Sequence, residues 1–395
     1  MLKATPFHPR TSALCLSHAW RRWAGYVVAS SYELNHEREY HAIRSSAALL
    51  DVSPLCKYAV TGKDAAALLD RVVTRDVARS AVGQVLYTCW CDAAGKVIDD
   101  GTIARLDEQR FRMTSAEPNL RWLSDNAIGL EVEISDVSDG IAALALQGPS
   151  ARAILERACG QDLGSLRYFR ITPGAIGGVA VEISRTGYTG DLGYEIWLDA
   201  RDALDVWDTL IETGTPFGMT PTGILALDVA RIEAGLMLLD VDYVSARKAL
   251  IDRQTSSPYE LDLAWTVNLK KEQFVGKAAL AREAERPPEW RFVGVEVDWD
   301  SLERLYGAVG LAPQLPHTAW RMSVPIYAGG EQAGYATSGG WSPVLKKYIA
   351  LAHMQGKWAK AATEIEMEVT VEHQRKRAAA RVVKKPFFDP ERKRA

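Results

Sequence analysis

The sequence predicts an α+β protein that ends in an antiparallel β-barrel. Strand-like and helix-like patterns are mixed up to about residue 282, whereas short strand-like runs separated by turns dominate beyond residue 290. A polar segment with two consecutive prolines, 283–289, separates the two parts and reads as a linker. Because 395 residues exceed the length of an ordinary single domain, we expect two or three domains.

Composition narrows the class of protein. The chain has 47 Lys and Arg against 50 Asp and Glu, and this near-neutral balance argues against a nucleic-acid partner. No run approaches the roughly 18–20 apolar residues that a membrane helix needs. The five cysteines are scattered without metal-ligand or CxxC spacing. We therefore expect a cytoplasmic protein with no metal, no membrane contact and no nucleic-acid partner.

The first elements form a strand, a helix and a meander. A β-like run at 57–60 is followed by the helical pattern 64–73, in which Ala66, Leu69 and Val72 share one face. Turn residues at 92–95 then separate strand-like runs. The runs that form this predicted antiparallel meander are 84–90, 96–106 and 110–115.

The middle of the chain adds helices around a glycine-rich turn. A helix is predicted from Pro149, at its first position, to Gly160, just past its end, with Ala153, Ile154 and Ala158 on its apolar face. Four further elements are predicted: strands at 179–185 and 194–198 on either side of the turn 186–190, and helices at 202–213 and 226–237.

Beyond the linker, the runs alternate with turns as in a small antiparallel barrel. The predicted strands are 291–297, 324–327, 333–337, 348–353, 365–371 and 378–383. The first two are separated by a long loop, 299–320, with a short helix predicted at 301–309. The basic residues at the end of the chain read as a solvated tail.

Two consecutive acids, Asp99 and Asp100, stand in an apolar strand. Strand alternation sends them to opposite faces, so one of them must point toward an interior or a cavity. A buried carboxylate is costly, which makes a functional role worth considering. The simpler account is a strand-end aspartate hydrogen-bonded to a turn, and this segment alone favours that account.

Glu195 and Trp197 share a face of the strand that follows the glycine-rich turn. A carboxylate beside an aromatic surface suits a flat heterocycle with two adjacent N–H donors, such as a pterin. The alternative is a surface strand with an ion-paired Glu. The glycines match neither a dinucleotide fingerprint nor a phosphate loop. Asp228 and Arg231, three apart on a predicted helix, are better explained by a helical salt bridge when this segment is taken alone.

Taken together, the segments resemble the glycine-cleavage T-protein (aminomethyltransferase) superfamily of tetrahydrofolate-dependent one-carbon transferases and demethylases. The matching segments are Leu50-Asp51-Val52-Ser53, Val97-Ile98-Asp99-Asp100, Leu146-Gln147-Gly148-Pro149 and the runs 184–195, 226–235, 274–280, 336–343 and 383–388. The resemblance implies a three-domain cloverleaf around a central channel. It implies a discontinuous domain of residues 1–55 and 140–282, an inserted domain 56–139 and a C-terminal barrel domain 290–395.

The resemblance also implies tetrahydrofolate as co-substrate and assigns roles to residues. Asp100 matches the catalytic aspartate of the family, and Glu195 matches the carboxylate that holds the pterin. The other residues expected to contact the folate are Tyr87, Tyr188, Arg231, Ser115 and Trp197. An activated one-carbon unit would pass to N5 of the folate beside a carboxylate that stabilises positive charge.

Departures from the family pattern fall on the side of the one-carbon donor. The usual Asp-Val-Ser-His-Met is Asp51-Val52-Ser53-Pro54-Leu55 here, and Ala-Arg-Asp is Ala226-Leu227-Asp228. The lost arginine removes a partner for an anionic or polar arm, which argues against docking of a lipoyl-borne aminomethyl group. The apolar replacements favour a hydrophobic or cationic methyl donor.

Three hypotheses therefore remain at the level of sequence. The leading one is a transferase, in particular a demethylase, that moves a methyl or related one-carbon group from a small donor to tetrahydrofolate. The second is the glycine-cleavage aminomethyltransferase, which acts on a lipoylated carrier protein. The third is a folate-binding regulatory protein without turnover, and the presence of Asp100 argues against it.

Overall fold

The computed structural model describes residues 2–395 and contains four β-sheets. Three of the sheets lie before residue 222, and the fourth is a closed barrel beyond residue 289. The predicted α+β class with a C-terminal antiparallel barrel is confirmed.

A six-stranded sheet forms the centre of the first part. Its strands run, from one edge to the other, in the order Ile171–Ile176, Val179–Ser184, Gly193–Asp199, Ile141–Gln147, Ala47–Asp51 and Met219–Pro221. All pairs are antiparallel except the last, in which Met219–Pro221 lies parallel to Ala47–Asp51. The strand Ala47–Asp51 is thus joined in space to a strand about 90 residues further along the chain.

The chain between these strands forms a five-stranded antiparallel sheet. Its order is Val85–Cys91, Val97–Arg105, Arg110–Ser115, Cys56–Thr61 and Glu133–Asp136. The predicted meander is confirmed, with each strand within one or two residues of the expected bounds. A small three-stranded sheet near the start of the chain has the order Lys3–Ala4, Tyr26–Ala29 and Trp20–Trp23.

Six antiparallel strands close the barrel. Their order is Trp290–Val297, Lys347–Gln355, Glu331–Ser342, Val324–Ala328, Glu364–Val371 and Gln374–Val383, and the last pairs with the first. The strand expected at 333–337 is longer in the structure, where its pairing continues to Ser342. Its glycines allow Trp320 and the neighbouring strands to approach closely. The long loop between strands Trp290–Val297 and Val324–Ala328 contains the helix Trp299–Gly307.

The helices are His8–Leu14, Glu37–Ser45, Ala65–Val72, Leu120–Asn126, Ala151–Cys159, Ala203–Gly214, Ile224–Glu233, Lys277–Glu283 and Trp299–Gly307. Two predictions about them are wrong in detail. Pro149 precedes the helix that it was expected to begin, and Ala153 is exposed because Ala151, Ile154 and Leu155 form the buried face. The helix expected at 226–237 ends at Glu233, where Gly235 adopts a left-handed conformation with φ of 68°.

Helices cover both faces of the six-stranded sheet. Leu144 and Leu146 of the central strand pack on one face with Ile154 and Trp207 from the helices Ala151–Cys159 and Ala203–Gly214. Alanines at alternate positions of the same strand face the other way. They pack against the helices Glu37–Ser45 and Ile224–Glu233, whose close approach the small side chains permit.

The end of the chain is docked, so the prediction of a solvated tail is wrong. Arg392 forms two hydrogen bonds with the buried carboxylate of Asp191, at 2.7 and 2.9 Å. The backbone oxygen of Ala395 accepts hydrogen bonds from Arg152 and Arg185. Basic composition misled the prediction because the partners of these residues lie about 200 positions away in the sequence. None of the helices within residues 2–395 is both long and apolar enough to cross a membrane.

Candidate functional site

Asp100 lies in the middle of the five-stranded sheet, on strand Val97–Arg105. Its carboxylate accepts a hydrogen bond of 2.7 Å from the Tyr87 hydroxyl, on the neighbouring strand, and another from the Tyr243 hydroxyl. Burial raises the pKa of the Asp100 carboxyl, and the two tyrosine hydrogen bonds act in the opposite direction. The surroundings therefore hold a carboxylate that is costly to ionise but that has two dedicated donors.

Asp99 points to the opposite face, as strand alternation predicts. It is buried, and it accepts hydrogen bonds from the backbone N–H groups of Asp100 and Glu117 and from the amide of Asn119 at 3.0 Å. Every one of these partners belongs to the same sheet or to the segment next to it. Asp99 is thus tied into the sheet by three hydrogen bonds, whereas both donors to Asp100 are tyrosine hydroxyls.

Four deep polar side chains keep some accessible surface: Tyr87, Asp100, Tyr188 and Glu195. Burial is nevertheless the largest cause that raises the pKa of each of them. Groups that are mostly enclosed by protein and still partly accessible are expected to line a recess, and we call the space beside these four residues the hollow. The four come from both the five-stranded and the six-stranded sheet or its adjacent turn, which places the hollow between these sheets.

One carboxylate oxygen of Glu195 accepts a hydrogen bond, and the other has no donor. Its Oε2 accepts a 2.6 Å hydrogen bond from the Thr186 hydroxyl, whereas no atom of residues 2–395 donates to Oε1. Burial raises its pKa, while the hydrogen bond from Thr186 and the charge of Arg112 lower it. The Arg112 guanidinium lies over the ring of the neighbouring Trp197, 4.3 Å from its centroid. The Trp197 indole N–H donates to Ser184.

The glycine-rich turn positions Thr186 and Tyr188. At Gly187 and Gly193, an added Cβ would lie about 2 Å from the amide of Gln147, so only glycine fits against that side chain. Gly190 has φ of 74° and touches Ala234 of the next helix end. The glycines therefore serve packing, and the turn they shape brings Thr186 to Glu195 and directs the Tyr188 hydroxyl to the carbonyl oxygen of Met237.

Arg231 is fully buried in a network of charges. It pairs with Asp228 at 3.1 Å, as its spacing predicts, and also with Asp242. Its Nη2 has no hydrogen-bond partner within the described part of the chain. Asp228 has a second partner, Arg321, whose Nε donates to it at 2.6 Å. This network is more than the helical salt bridge that the sequence indicates, because Asp242 and Arg321 come from other segments.

The structure brings several predicted residues together. Arg231, Asp100, Asp242 and Asp228 are all close enough for their charges to act on the pKa of Tyr188. Glu195 is hydrogen-bonded to Thr186, two residues before Tyr188 in the same turn. Ser115 is different, since it is buried at the end of its strand and its hydroxyl donates to the carbonyl oxygen of Glu117 at 2.7 Å.

Sequence reasoning missed three residues at this place: Tyr243, Thr186 and Arg321. Thr186 stands in the turn that the sequence singles out, and its nearness to Glu195 in sequence was an available signal. Tyr243 and Arg321 follow no periodic pattern, and their partners Asp100 and Asp228 lie 143 and 93 residues away. No local signal could have found them.

A mixed α/β body that contains partly accessible acids and is followed by a closed barrel is the architecture that the resemblance to tetrahydrofolate-dependent one-carbon transferases predicts. Two family models match the two parts separately. The GCVT N-terminal domain matches residues 12–271, and the glycine cleavage T-protein C-terminal barrel domain matches residues 308–389. The chain belongs to the glycine-cleavage T-protein family, and it is an enzyme that transfers one-carbon units with tetrahydrofolate as co-substrate.

Curated relatives and a solved structure agree with this assignment. The chain is 34% identical to the aminomethyltransferase of Geobacillus thermodenitrificans, over 98% of this chain and 99% of the relative. It is 35% identical to the aminomethyltransferase of Halothermothrix orenii, over 89% and 90% of the two chains. The crystal structure of the glycine cleavage system aminomethyltransferase T from Bartonella henselae superposes with a TM-score of 0.83 at 25% identity, covering 98% of this chain and 99% of that one.

Proposed function

We propose that the chain is an aminomethyltransferase that passes a one-carbon unit to tetrahydrofolate, with Asp100 as its catalytic residue. The observation that carries the proposal is the Asp100 carboxylate, deep in the hollow and held between the hydroxyls of Tyr87 and Tyr243. The names of the relatives support an aminomethyl group as the unit transferred.

The residues of the hollow suit a reduced folate. Glu195 keeps one carboxylate oxygen without a donor, in a place where water still reaches the side chain, so it can accept hydrogen bonds from the N–H groups of a pterin. Tyr87, Tyr188, Trp197 and Arg231 complete the proposed folate-binding group. Ser115 remains a weaker member because its hydroxyl proton is already donated to Glu117. Tetrahydrofolate itself supplies the amine that accepts the one-carbon unit.

Asp100 acts through its charge and its position. When ionised, it stabilises positive charge that develops on the amine of the donor, and it orients that amine by hydrogen bonding. Tyr87 and Tyr243 hold the carboxylate in one orientation and favour its charged form. Because the Asp100 carboxylate is mostly enclosed by protein, water competes less for these interactions than it would at an open surface.

We also propose the domain division expected from the sequence: residues 1–55 with 140–282, 56–139, and 290–395. Sheet membership supports it, since strand Ala47–Asp51 joins the sheet of strands 141–221, and the strands between residues 56 and 136 form a sheet of their own. The hollow then lies where the discontinuous and the inserted domains meet.

Replacement of Asp100 by Asn tests the proposal. The amide has nearly the same shape but no charge, so we expect folate binding within a few fold of the native enzyme and turnover lowered by at least about 100-fold. Asp107→Asn, in an exposed turn of the same sheet, serves as control and should turn over normally. Undiminished turnover of Asp100→Asn would refute the assignment.

The donor is tested separately. Aminomethylated lipoyl carrier protein and tetrahydrofolate should yield ammonia and a methylene-folate in the presence of the enzyme, and the folate product is identified by its mass. No product from the carrier, together with a methylated folate from a panel of N-, O- and S-methyl compounds, would replace the aminomethyl donor with a small methyl donor.

A demethylase is the second candidate, and one observation favours it. Leu227, which stands where the family pattern has an arginine, packs with Leu55 in the same apolar cluster as Tyr188 and Trp197. An apolar wall at this place suits a small methyl donor better than a polar arm. The panel described above distinguishes the two candidates directly.

A further inference from the structure

Asp242 is a buried carboxylate that connects the barrel with the candidate site. It directly precedes Tyr243, whose hydroxyl donates to Asp100. One of its oxygens, Oδ2, accepts hydrogen bonds from the Arg231 guanidinium and from the backbone N–H group of Leu238, the latter at 2.8 Å. The other oxygen, Oδ1, accepts its hydrogen bonds from the barrel.

Two consecutive hydroxyls of the barrel meet at that oxygen. Thr337 and Ser338, on strand Glu331–Ser342, both donate to Oδ1, the second at 2.7 Å. Consecutive residues of a regular strand point to opposite faces, so this arrangement requires an irregularity. The strand has one, because its pairing register shifts between Ala336 and Ser338. Such bulges redirect side chains and are frequent next to active sites.

The barrel also holds the backbone of Asp242. The ring of His353, on strand Lys347–Gln355, donates from Nε2 to the Asp242 carbonyl oxygen at 2.6 Å. Nε2 carries the proton because a carbonyl oxygen can only accept. The ring is buried and contacts Tyr335 and Phe292, with centroid distances of 5.3 and 5.2 Å. Side-chain and main-chain atoms of Asp242 are thus both fixed by the barrel.

Tyr243 depends on nearby contacts for its position, since it belongs to no helix and to none of the four sheets. Its side chain packs in a cluster with Leu351 of the barrel and with Cys89, the cross-strand neighbour of Asp100. The planar peptide bond to Asp242 leaves few rotatable bonds between the fixed carboxylate and the tyrosine ring. A displacement of Asp242 therefore moves the hydroxyl and weakens its directional hydrogen bond.

Three barrel side chains share this task, and we call them the barrel clamp: Thr337, Ser338 and His353. We propose that the barrel clamp positions the catalytic acid, because it holds Asp242, and Asp242 in turn holds the Tyr243 hydroxyl on Asp100. The proposal rests on the proposed function, which takes Asp100 as the catalytic residue. The clamp residues are positioning residues, and through them the barrel favours the charged form of an acid that it does not touch.

The charged surroundings stay the same when a clamp residue is replaced. The titratable groups that face Asp100 are Tyr87, Cys89, Asp99, Tyr188 and Tyr243. Those that face Asp242 are Arg231, Tyr188, His353 and Lys385. The clamp hydroxyls carry no charge, and burial lowers the pKa of His353, so its ring is neutral. A changed pH–rate profile would therefore report the hydrogen bond to Asp100 rather than a lost charge.

Ser338→Ala and His353→Leu test the proposal in the full chain. Each removes one clamp contact, so the Tyr243 hydroxyl should donate less well and the pKa of Asp100 should rise. We expect the acidic limb of the pH–rate profile to move to higher pH by at least about 0.5 unit. Turnover is measured from pH 5 to pH 9 with the donor that the native enzyme uses in the test described above. An unmoved limb in both variants would overturn the proposal.

Two further variants separate positioning from stability. His353→Gln keeps an N–H donor for the Asp242 carbonyl oxygen and should restore most of the shift that His353→Leu causes. Ser301→Ala is the matched control, because Ser301 is a buried serine of the barrel part whose hydroxyl accepts from the Ala379 N–H group at 2.9 Å. It should leave the profile in place. Equal losses of melting temperature in Ser301→Ala and Ser338→Ala, with native profiles in both, would make the clamp merely structural and overturn the proposal.

Combination with Tyr243→Phe shows whether the effect passes through the tyrosine. That variant has no hydroxyl to position, so adding Ser338→Ala should not move the acidic limb any further. The same additional shift in both backgrounds would contradict the proposed connection.

A crystal structure of His353→Leu measures the connection without turnover. The distance between the Tyr243 hydroxyl and the Asp100 carboxylate should exceed about 3.5 Å, and an unchanged contact would overturn the proposal. A lengthened contact together with normal turnover of Asp100→Asn would keep the clamp and refute the proposed function. The two failures are therefore distinguishable.

Discussion

Two tyrosine hydroxyls govern the ionisation of Asp100. Burial alone would keep the carboxyl protonated to a higher pH, and the hydrogen bonds from Tyr243 and Tyr87 oppose this effect. A hydrogen bond to a charged acceptor contributes about 1.5–3 kcal/mol, which corresponds to roughly one to two pKa units. Each tyrosine therefore helps to set the pH above which the acid is charged.

Tyr243→Phe should move the acidic limb of the pH–rate profile to higher pH by about one unit. The sign follows from the loss of a donor that favours the carboxylate, so that the pKa of Asp100 rises and the charged form appears later as pH increases. Turnover measured from pH 5 to pH 9 would detect the shift.

Tyr306→Phe provides the control for Tyr243→Phe, because the Tyr306 hydroxyl donates to the carbonyl oxygen of Gln314 in the C-terminal part. Its profile should coincide with that of the native enzyme. If Tyr243→Phe also left the profile in place and only lowered the melting temperature, the contact with Asp100 would be structural rather than electrostatic.

At the scale of elements, Glu39 joins two helices. It lies on Glu37–Ser45 and is completely buried. Its carboxylate accepts hydrogen bonds from the backbone N–H groups of Tyr32 and Glu33, at 2.7 and 3.0 Å, and of Gly223, at 2.7 Å. Gly223 directly precedes the helix that carries Asp228 and Arg231, so Glu39 anchors the start of that helix.

Glu39→Ala should lower the free energy of unfolding by about 3 kcal/mol, since three buried N–H groups would lose their acceptor. Urea unfolding followed by circular dichroism measures the loss. Glu37→Ala, an exposed acid on the same helix, should cost much less. Equal effects of the two substitutions would contradict the anchoring role.

Across the whole molecule, the end of the chain fastens the barrel part to the first part. Glu233 ends its helix with a backbone oxygen that accepts from the N–H groups of Phe387 and Phe388, each at 2.9 Å. Its carboxylate contacts Ser342 of the barrel and Arg44 of another helix. Nearby, Asp191 is held by Arg392 from the tail, which extends this contact to the last residues.

Arg392→Ala should lower the free energy of unfolding by about 2 kcal/mol, because the buried Asp191 would lose a bidentate partner and keep Arg44 as its one charged partner. Arg394→Ala removes a more exposed arginine of the same tail and should have a much smaller effect. Thermal and urea unfolding of both variants give the comparison. If Arg392→Ala were as stable as Arg394→Ala, the tail would not be a structural part of the enzyme.

Local chemistry determined much of this protein from the sequence alone. Period-two alternation separated Asp99 from Asp100, and turn residues marked the meander and the barrel strands within a few residues. These features depend on neighbours close in sequence, whose preferences for strand, turn or helix act over only a few residues. The order of the motifs was enough for the family to be inferred.

Tertiary structure alone decided which side chains meet in the hollow and at the docked end of the chain. Tyr243 reaches Asp100, Arg321 reaches Asp228, and Arg392 reaches Asp191, across 143, 93 and 201 positions of the chain. The physical reason is that a buried charge needs a partner in space, and folding can supply that partner from any segment that passes nearby. No pattern of residues close in sequence indicates which distant charges will become neighbours, so only the folded structure shows the electrostatics of the site.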